Sequence, residues 1–144
     1  MRLAAIILCL ALLVGAACAA PSTTMTMGAG IFVSKLGYSE ADPGMTYLLV
    51  PYSFQNNGYD EFPVEPGCCK VIINKVRYDR TYIGSSMAEN GYPPLDSVTL
   101  MNGGSIKGWV AFEVPAGTQT FQSGYEQYSW NDYDIIAQTG VVVV

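Results

Sequence analysis

The sequence predicts an all-β domain, an antiparallel sandwich of about seven to eight strands that follows an N-terminal signal segment. Three observations support this fold class. Runs of β-branched and aromatic residues alternate with turn clusters about every eight to twelve residues. The chain contains 15 Gly, 8 Pro and 10 Tyr, a composition typical of turn-rich β proteins. No stretch after the N-terminus has a convincing helical period, so we expect at most one helical turn.

The first 19 residues have the pattern of an export signal. Arg2 gives a minimal positive region, and residues 3–14 form a continuous apolar run. Small residues then occupy positions 15–20, and Pro21 breaks any helix that reaches it. We therefore expect the chain to engage the export machinery and to function outside the cytoplasm.

Three outcomes of this export remain open. Residues 14–18 are similar to a lipobox, with Gly15 in place of the usual Leu, and cleavage there would leave a lipidated Cys18. Cleavage after Ala19 would instead give a freely secreted protein. Without cleavage, residues 3–20 would form a marginal membrane helix at the lower limit of length for spanning a bilayer.

The chain divides into four predicted parts: a signal segment at 1–19, a spacer at 20–29, the sandwich domain at 30–137 and a C-terminal tail at 138–144. The spacer has the polar sequence PSTTMTMG and no apolar period, which indicates a linker. Because a freely secreted domain has no use for a linker of this kind, the spacer favours attachment to a membrane.

Strands are predicted between the turn clusters, of which Asn56-Asn57-Gly58 and Asn102-Gly103-Gly104 have the clearest turn chemistry. Pro51 cannot donate a hydrogen bond to a sheet, so we expect its strand to lie at an edge or to be bulged. The predicted strands cover approximately 30–38, 46–55, 69–78, 81–83, 95–100, 105–114, 121–130 and 133–137.

The strand at 105–114 is the best candidate for the centre of the core, because it combines the strongest apolar character with β spacing. From Val110 onward, apolar and other side chains alternate with a period of two. We expect both Trp109 and Phe112 to be core residues.

Two of these segments resemble a known family. The sequence TYLLVPYSFQ runs into Asn56-Asn57-Gly58, and residues 108–115 have the pattern Gly-x-hydrophobic-x-Phe-Glu-Val-Pro. Over about residues 30–136 the chain resembles exported immunoglobulin-like domains of unknown function, of the domain of unknown function 4352 type, found on bacterial and archaeal lipoproteins. Those domains share their fold with a small secreted mycobacterial antigen. The resemblance implies an immunoglobulin-like sandwich in the cell envelope and supplies no catalytic residues.

Composition excludes several functions. The chain has no histidine, which excludes Ser-His-Asp and Cys-His catalysis and removes the commonest metal ligand. A net charge of −5 with only 7 Lys and Arg argues against binding to nucleic acid. We expect no cofactor and no metal.

The adjacent residues Cys68 and Cys69 form a candidate disulfide, because thiols rarely stay free in an oxidising compartment. A bond between neighbours closes a strained eight-membered ring that needs a turn. The alternatives are two separate thiols on opposite faces of a strand, one of them buried and inert, or a disulfide between chains.

Four aromatic residues in or beside loops are candidates for an exposed surface that binds a protein or a carbohydrate: Tyr92, Tyr125, Tyr128 and Trp130. The alternative is that such residues reflect β propensity and core packing. Asp132 and Asp134 have a spacing that calcium could use, although a solvated acidic turn explains them as well.

Two functions follow from these patterns. The first is a non-enzymatic binding or structural domain, tethered to a membrane by a lipidated Cys18 or by an N-terminal helix. The second is a carboxylate-dependent hydrolase or metal-binding envelope protein, for which Asp60, Glu61 and Glu65 are the candidate acids. Acids clustered in one cleft would favour the enzyme, and acids dispersed on the surface would favour the binding domain.

Overall fold

A computed structural model describes residues 20–128 and 133–141 of the chain. Its strands are β1 (Ser22–Met27), β2 (Ile31–Val33), β3 (Lys35–Leu36), β4 (Ser39–Glu40), β5 (Met45–Asn57), β6 (Glu61–Val64), β7 (Cys69–Ile73), β8 (Val76–Tyr78), β9 (Val98–Met101), β10 (Ser105–Pro115), β11 (Thr120–Tyr128) and β12 (Tyr133–Val141). A 3-10 helix spans Pro66–Cys68, and a helix α1 spans Gly84–Glu89. The predicted all-β class is confirmed, although α1 exceeds the single helical turn that we expected.

Two four-stranded antiparallel sheets form the body of the domain. In the first, β5 lies between β10 on one side and both β1 and β2 on the other. The second has the order β12-β11-β7-β8. Two small sheets, β3-β4 and β6-β9, complete the fold. The arrangement matches the predicted antiparallel sandwich.

The core lies between the facing sides of the two sheets. Alternate residues of β5 and β10 enter it, among them Leu48, Val50 and Phe112, and the second sheet contributes Val71 and Phe121. Phe112 has 0% exposure, which confirms its predicted place in the core. The other half of that prediction is wrong. Trp109 is only partly buried, because three positions along a strand reverse the side from which a side chain projects.

The segment predicted as a spacer forms β1. Six residue pairs join it to β5, from Ser22 opposite Asn57 to Met27 opposite Tyr52, and Met25 is buried in the core. A repeat of small polar residues hides the strand signal, because only every second side chain faces inward. The linker prediction is therefore wrong, and the argument for an anchor that depended on it is lost.

Pro51 lies in a central strand, against the prediction of an edge or a bulge. On one side it is opposite Trp109 in an unbroken register with β10. On the other it falls between the end of β1 and the start of β2, where its carbonyl accepts a hydrogen bond from the Gly28 amide at 2.9 Å. The missing donor therefore points at a gap between strands, where no ladder bond is lost.

Other boundaries also differ from the predictions. The strand predicted at 69–78 is a hairpin, because Asn74 and Lys75 have positive φ angles of 49° and 66° and reverse the chain between β7 and β8. The segment predicted as a strand at 81–83 is irregular, and β6 was not predicted at all. Strand β12 continues to Val141, into the predicted tail.

Candidate functional site

The edge of β10 that faces away from β5 is covered by two short segments of chain. The amide of Thr81 donates to the carbonyl of Ala111 at 2.8 Å. Further along, Trp109 donates to Pro93 and accepts from Leu95, both at 2.9 Å. The two segments add only isolated bridges to the sheet and bring loop side chains next to a rigid strand.

Gly108 lets the second segment approach β10 closely. A Cβ atom at this position would lie 2.4 Å from the Leu95 Cα and 2.5 Å from its amide nitrogen, both of them backbone atoms. Leu95 itself is buried in the core. Residue 108 must therefore be glycine if the segment at 93–95 is to cross the strand here.

Two aromatic rings lie on the outer face beside this crossing. Tyr92 packs edge-on against Trp109, with ring centroids 5.0 Å apart and an interplanar angle of 77°. Both side chains are partly buried against a small second cluster that includes Ile83 and Met87. The geometry is favourable for an aromatic pair and fixes both rings in place.

Arg80 and Tyr82 flank the first segment. The Arg80 Nη2 donates to the Tyr82 hydroxyl at 3.2 Å, and the guanidinium carbon lies 4.5 Å from the centre of the Tyr82 ring. Tyr82 is 83% exposed. The guanidinium also lies beside Gly67, where a Cβ atom would be 3.7 Å from the Arg80 Nε, an ordinary contact distance. Stacking and the hydrogen bond together orient the charged group.

One donor of this arginine is unsatisfied. Its Nε is buried, and no hydrogen-bond partner for it exists among the described residues. The adjacent acid is already occupied, because Asp79 pairs with Lys70 at 2.9 Å. That hydrogen bond to Lys70 is the main reason that the pKa of Asp79 lies below its usual value.

A cavity of about 80 Å³ lies where these groups meet. Its walls are mostly apolar, and Arg80, Thr81 and Tyr82 supply its polar side chains; the remainder of the lining is Pro66, Gly84, Met87, Pro94, Leu95, Trp109, Val110 and Ala111. We call the surface formed by Arg80, Tyr82, Tyr92 and Trp109, together with this cavity, the Arg80 site.

Of the two predicted surface aromatics whose side chains the structure describes, Tyr92 belongs to this site. Tyr125 is 1% exposed, which corrects the prediction that it is a surface residue. Its hydroxyl donates to the Pro63 carbonyl at 3.0 Å and accepts from the Glu65 amide at 2.9 Å, so it closes the core against β6. The Tyr128 side chain and Trp130 lie outside the described residues, as do Asp132 and the Asp134 side chain.

The sequence reasoning missed Arg80 and Tyr82. Arg80 was only one of the 7 Lys and Arg residues, and Tyr82 fell inside the strand predicted at 81–83. The signal that could have found them is the alternation of charge at Asp79-Arg80 next to an aromatic residue. That signal is weak, because the sequence does not show that Asp79 forms an ion pair with Lys70 and not with Arg80.

The two cysteines are free thiols, so the predicted disulfide between them is absent. Cys68 ends the 3-10 helix and is partly exposed, whereas Cys69 begins β7 and is 0% exposed. Burial raises the pKa of Cys69 to about 12 and also raises that of Cys68. Both thiols are therefore protonated at neutral pH, which makes them poor nucleophiles.

The candidate acids are dispersed. Asp60, Glu61 and Glu65 are exposed side chains along β6 and its flanks, and Glu65 accepts a hydrogen bond from the Ser97 hydroxyl. Within residues 20–128 and 133–141, no group of three or more acids or cysteines could hold a metal ion. Over the same residues, neither helix is long and apolar enough to cross a membrane. The predicted signal segment and Cys18 lie outside them.

Solved structures share this fold. A candidate lipoprotein, ycdA, from Bacillus subtilis superposes with a TM-score of 0.63 at 16% identity over 83% of this chain. This chain spans 36% of the length of that protein. The yjhA protein of the same organism gives a TM-score of 0.61 at 19% identity, over 84% of this chain and 92% of the other.

A weaker likeness, with a TM-score of 0.42 at 11% identity, is to an uncharacterised β-sandwich protein of Clostridium difficile. No curated protein matches the chain. A family model described as Domain of unknown function (DUF4352) matches residues 14–135, which is most of the chain. The chain therefore belongs to the DUF4352 family, the family that its strand motifs resemble.

Proposed function

We propose that this protein is a non-catalytic binding domain, held on the outer side of a membrane by its N-terminus. The observation that carries the proposal is the Arg80 site. Arg80 and Tyr82 lie beside the rigid strand β10, on a segment whose backbone is hydrogen-bonded to that strand. Tyr82 is 83% exposed. Arginine and tyrosine are the residues that most often dominate the binding energy of interfaces.

The chemistry of the remaining surface supports binding over catalysis. Cys68 and Cys69 are poor nucleophiles because burial keeps them protonated. The acids along β6 are spread over an exposed strand and do not converge on the Arg80 cavity. With no histidine in the chain, the residue type that most often serves as a general base near neutral pH is absent.

Membrane attachment is supported by the apolar run at 3–14, the lipobox-like residues 14–18 and the likeness to a candidate lipoprotein. Only three residues separate Cys18 from the first residue of β1, Ser22. A lipid on Cys18 would thus hold the folded domain within about 15 Å of the bilayer surface.

Fractionation of cells that produce the wild type and the Cys18→Ser variant tests this attachment. Cys9→Ser, which alters a cysteine inside the apolar run, is the matched control. We expect wild type and control in the membrane fraction, released by detergent and not by salt. The Cys18→Ser variant should become soluble or remain an uncleaved precursor. Wild-type protein in the medium with Ala20 as its first residue would contradict the proposal.

Photocrosslinking in cells tests the binding role separately. A photoreactive amino acid replaces Tyr82 in one variant and Lys75, at the exposed β7–β8 turn, in the control. We expect a discrete crosslinked species with the label at position 82 and none with the label at position 75. Equal yields at the two positions, or none at either, would show that this surface binds no partner.

A further inference from the structure

We infer that the Arg80 site binds a carboxylate group carried by an acidic side chain or chain terminus of a protein partner. The inference rests on the proposed binding role of the same surface and adds the chemistry of what is bound. It starts from a cost. A buried nitrogen donor without an acceptor destabilises a folded protein, so native proteins rarely retain one without a reason.

The arginine is free to pair with an incoming acid. Among the described residues it has no ion pair, and its hydrogen bonding is limited to the Tyr82 hydroxyl. Lys70 and Arg77, the other basic residues of this region, are paired with Asp79 and Glu126. In a chain of net charge −5, an acid that approaches this surface meets one cation that is not neutralised.

The shape of the site selects a small acidic group. The cavity of about 80 Å³ has room for a carboxylate and its first methylene but not for a sugar ring. Its walls at Pro66, Pro94 and Leu95 are apolar, which suits the aliphatic stem of an acidic residue. A sugar would need a ring of hydroxyl or amide groups, and Thr81 and Tyr82 are too few to supply it.

The position of the guanidinium favours a carboxylate, which can accept two hydrogen bonds, over a group that accepts only one. The guanidinium carbon lies 4.5 Å from the centre of the Tyr82 ring, and a planar guanidinium can donate two parallel hydrogen bonds to the two oxygens of one carboxylate. The Nε donor is buried and lacks a partner among the described residues, so it would provide one of the two when binding of the partner makes it accessible to the carboxylate. Bidentate pairing would therefore remove the unsatisfied donor and the unpaired charge together.

Nuclear magnetic resonance of the full-length protein in detergent tests this. The probes are N-acetylglutamate amide, galacturonate and inorganic phosphate at constant ionic strength, and the signal is the Arg80 Nε–H resonance. We expect a saturable shift with the glutamate derivative, with a dissociation constant on the order of 10 mM for so small a fragment. Phosphate and galacturonate should bind at least about tenfold more weakly.

Arg80→Lys should weaken binding of the glutamate derivative by at least about tenfold, because lysine cannot pair with both oxygens. This variant lacks the Nε–H, so its binding is followed through the Trp109 indole resonance. Arg77→Lys is the matched control and should bind as the wild type does. Circular dichroism of both variants verifies the fold.

Either of two results would overturn the assignment to an acidic residue of a protein: no saturable shift with the glutamate derivative up to about 100 mM, or tighter binding of phosphate or of galacturonate, whose carboxylate is carried by a sugar ring. Crosslinking at position 82 without carboxylate binding would leave the binding role intact and sink this inference alone. Carboxylate binding that survives in Arg80→Lys would also overturn it.

Discussion

Phe112 and Trp109 lie three positions apart on β10 and differ in every respect that matters for their roles. Phe112 is 0% exposed and packs between the two sheets. Trp109 projects from the opposite face, where Tyr92 and the small helix α1 cover it only in part. The inner face of this strand holds the fold together, whereas the outer face and the two segments that cover its edge carry the candidate binding groups.

The comparison shows how one strand serves both purposes. Its alternation separates the side chains that are needed for stability from those that are available to a partner. A substitution on the outer face should therefore alter binding at little cost to folding. A substitution on the inner face should do the reverse.

The largest effect is expected at the inner face. Phe112→Ala should lower the free energy of unfolding by about 3–5 kcal/mol, because it leaves a cavity between the sheets. Phe112→Leu, which keeps most of the volume, should cost roughly 1–1.5 kcal/mol. Urea denaturation followed by circular dichroism measures both. A loss below about 1 kcal/mol for the alanine variant would mean that the inner face is not the core.

Gly108→Ala should cost about 2–3 kcal/mol, because its Cβ would meet the Leu95 backbone and push the segment at 93–95 away from β10. Gly84→Ala is the control, since a Cβ there would meet only Pro94 Cγ at an ordinary 3.8 Å. The control should be neutral or slightly stabilising in α1. Equal losses for the two variants would show that the close crossing does not matter for stability.

Trp109→Ala should lower the free energy of unfolding by only about 1–2 kcal/mol. Part of the ring is already in contact with water, so the variant loses only the remaining buried area and the pair with Tyr92. Thermal and urea unfolding measure the loss. A value as large as that of Phe112→Ala would erase the distinction between the two faces.

The smallest effect concerns Cys69 on the inner side, and it depends on pH. Burial raises the pKa of the Cys69 thiol from its usual value of 9.0 to about 12. Above pH 9 the unfolded chain loses this proton while the folded chain keeps it, so stability falls as pH rises from 9 towards 12. At pH 10 this effect lowers the free energy of unfolding by about 1.4 kcal/mol.

Thermal unfolding between pH 8 and 11 tests this, with Cys69→Ala showing a shallower loss than the wild type. Cys68→Ala, at the less buried neighbour, should retain most of the slope. Identical slopes in wild type and Cys69→Ala would contradict the burial of this thiol. Burial also raises the pKa values of Tyr52 and Tyr125, and because Cys69 raises both further, the slope of Cys69→Ala also includes a smaller shift of these two tyrosines.

The sequence was sufficient for the parts of the fold that depend on local patterns. The long strands β5 and β10, with the turns that end them, follow from β-branched and aromatic runs and from glycine and asparagine. The buried Asn56 shows why the Asn-Asn-Gly motif works: its amide donates to the carbonyls of Tyr59 and Leu100 and its oxygen accepts from the Tyr59 amide. The motif pins the end of β5 to β9.

Other features could not be predicted because they depend on contacts between distant residues. The strand character of β1 appears only when β5 supplies its hydrogen bonds. Pro51 is acceptable in a central strand only because β1 ends and β2 has not begun. The alternation from Val110 to Val114 already places Trp109 on the face opposite to Phe112. The prediction of a core tryptophan disregarded that alternation.

The candidate site was less predictable than the fold. Its groups come from segments near residues 80, 92 and 109, which meet because two of these segments form hydrogen bonds along the edge of β10. Within the part of the chain that the structure describes, Arg80 lacks an acidic partner because the neighbouring Asp79 forms an ion pair with Lys70. That ion pair is visible only in the three-dimensional structure. Tyr125 was misplaced for the same reason, since its polar neighbours in sequence gave no hint of the core around it.

The pairing of β1 with β5 has a mechanical consequence. The chain enters β1 at Ser22, which lies opposite Asn57 of β5. The Arg80 site lies six to nine residues away along β5, a distance of about 20–30 Å. If a partner pulls on that site while a lipid holds the N-terminus, the force runs along the strands. All six residue pairs of β1 and β5 would then be loaded together in shear and not opened one after another, so the tether and the domain would resist extraction as one body.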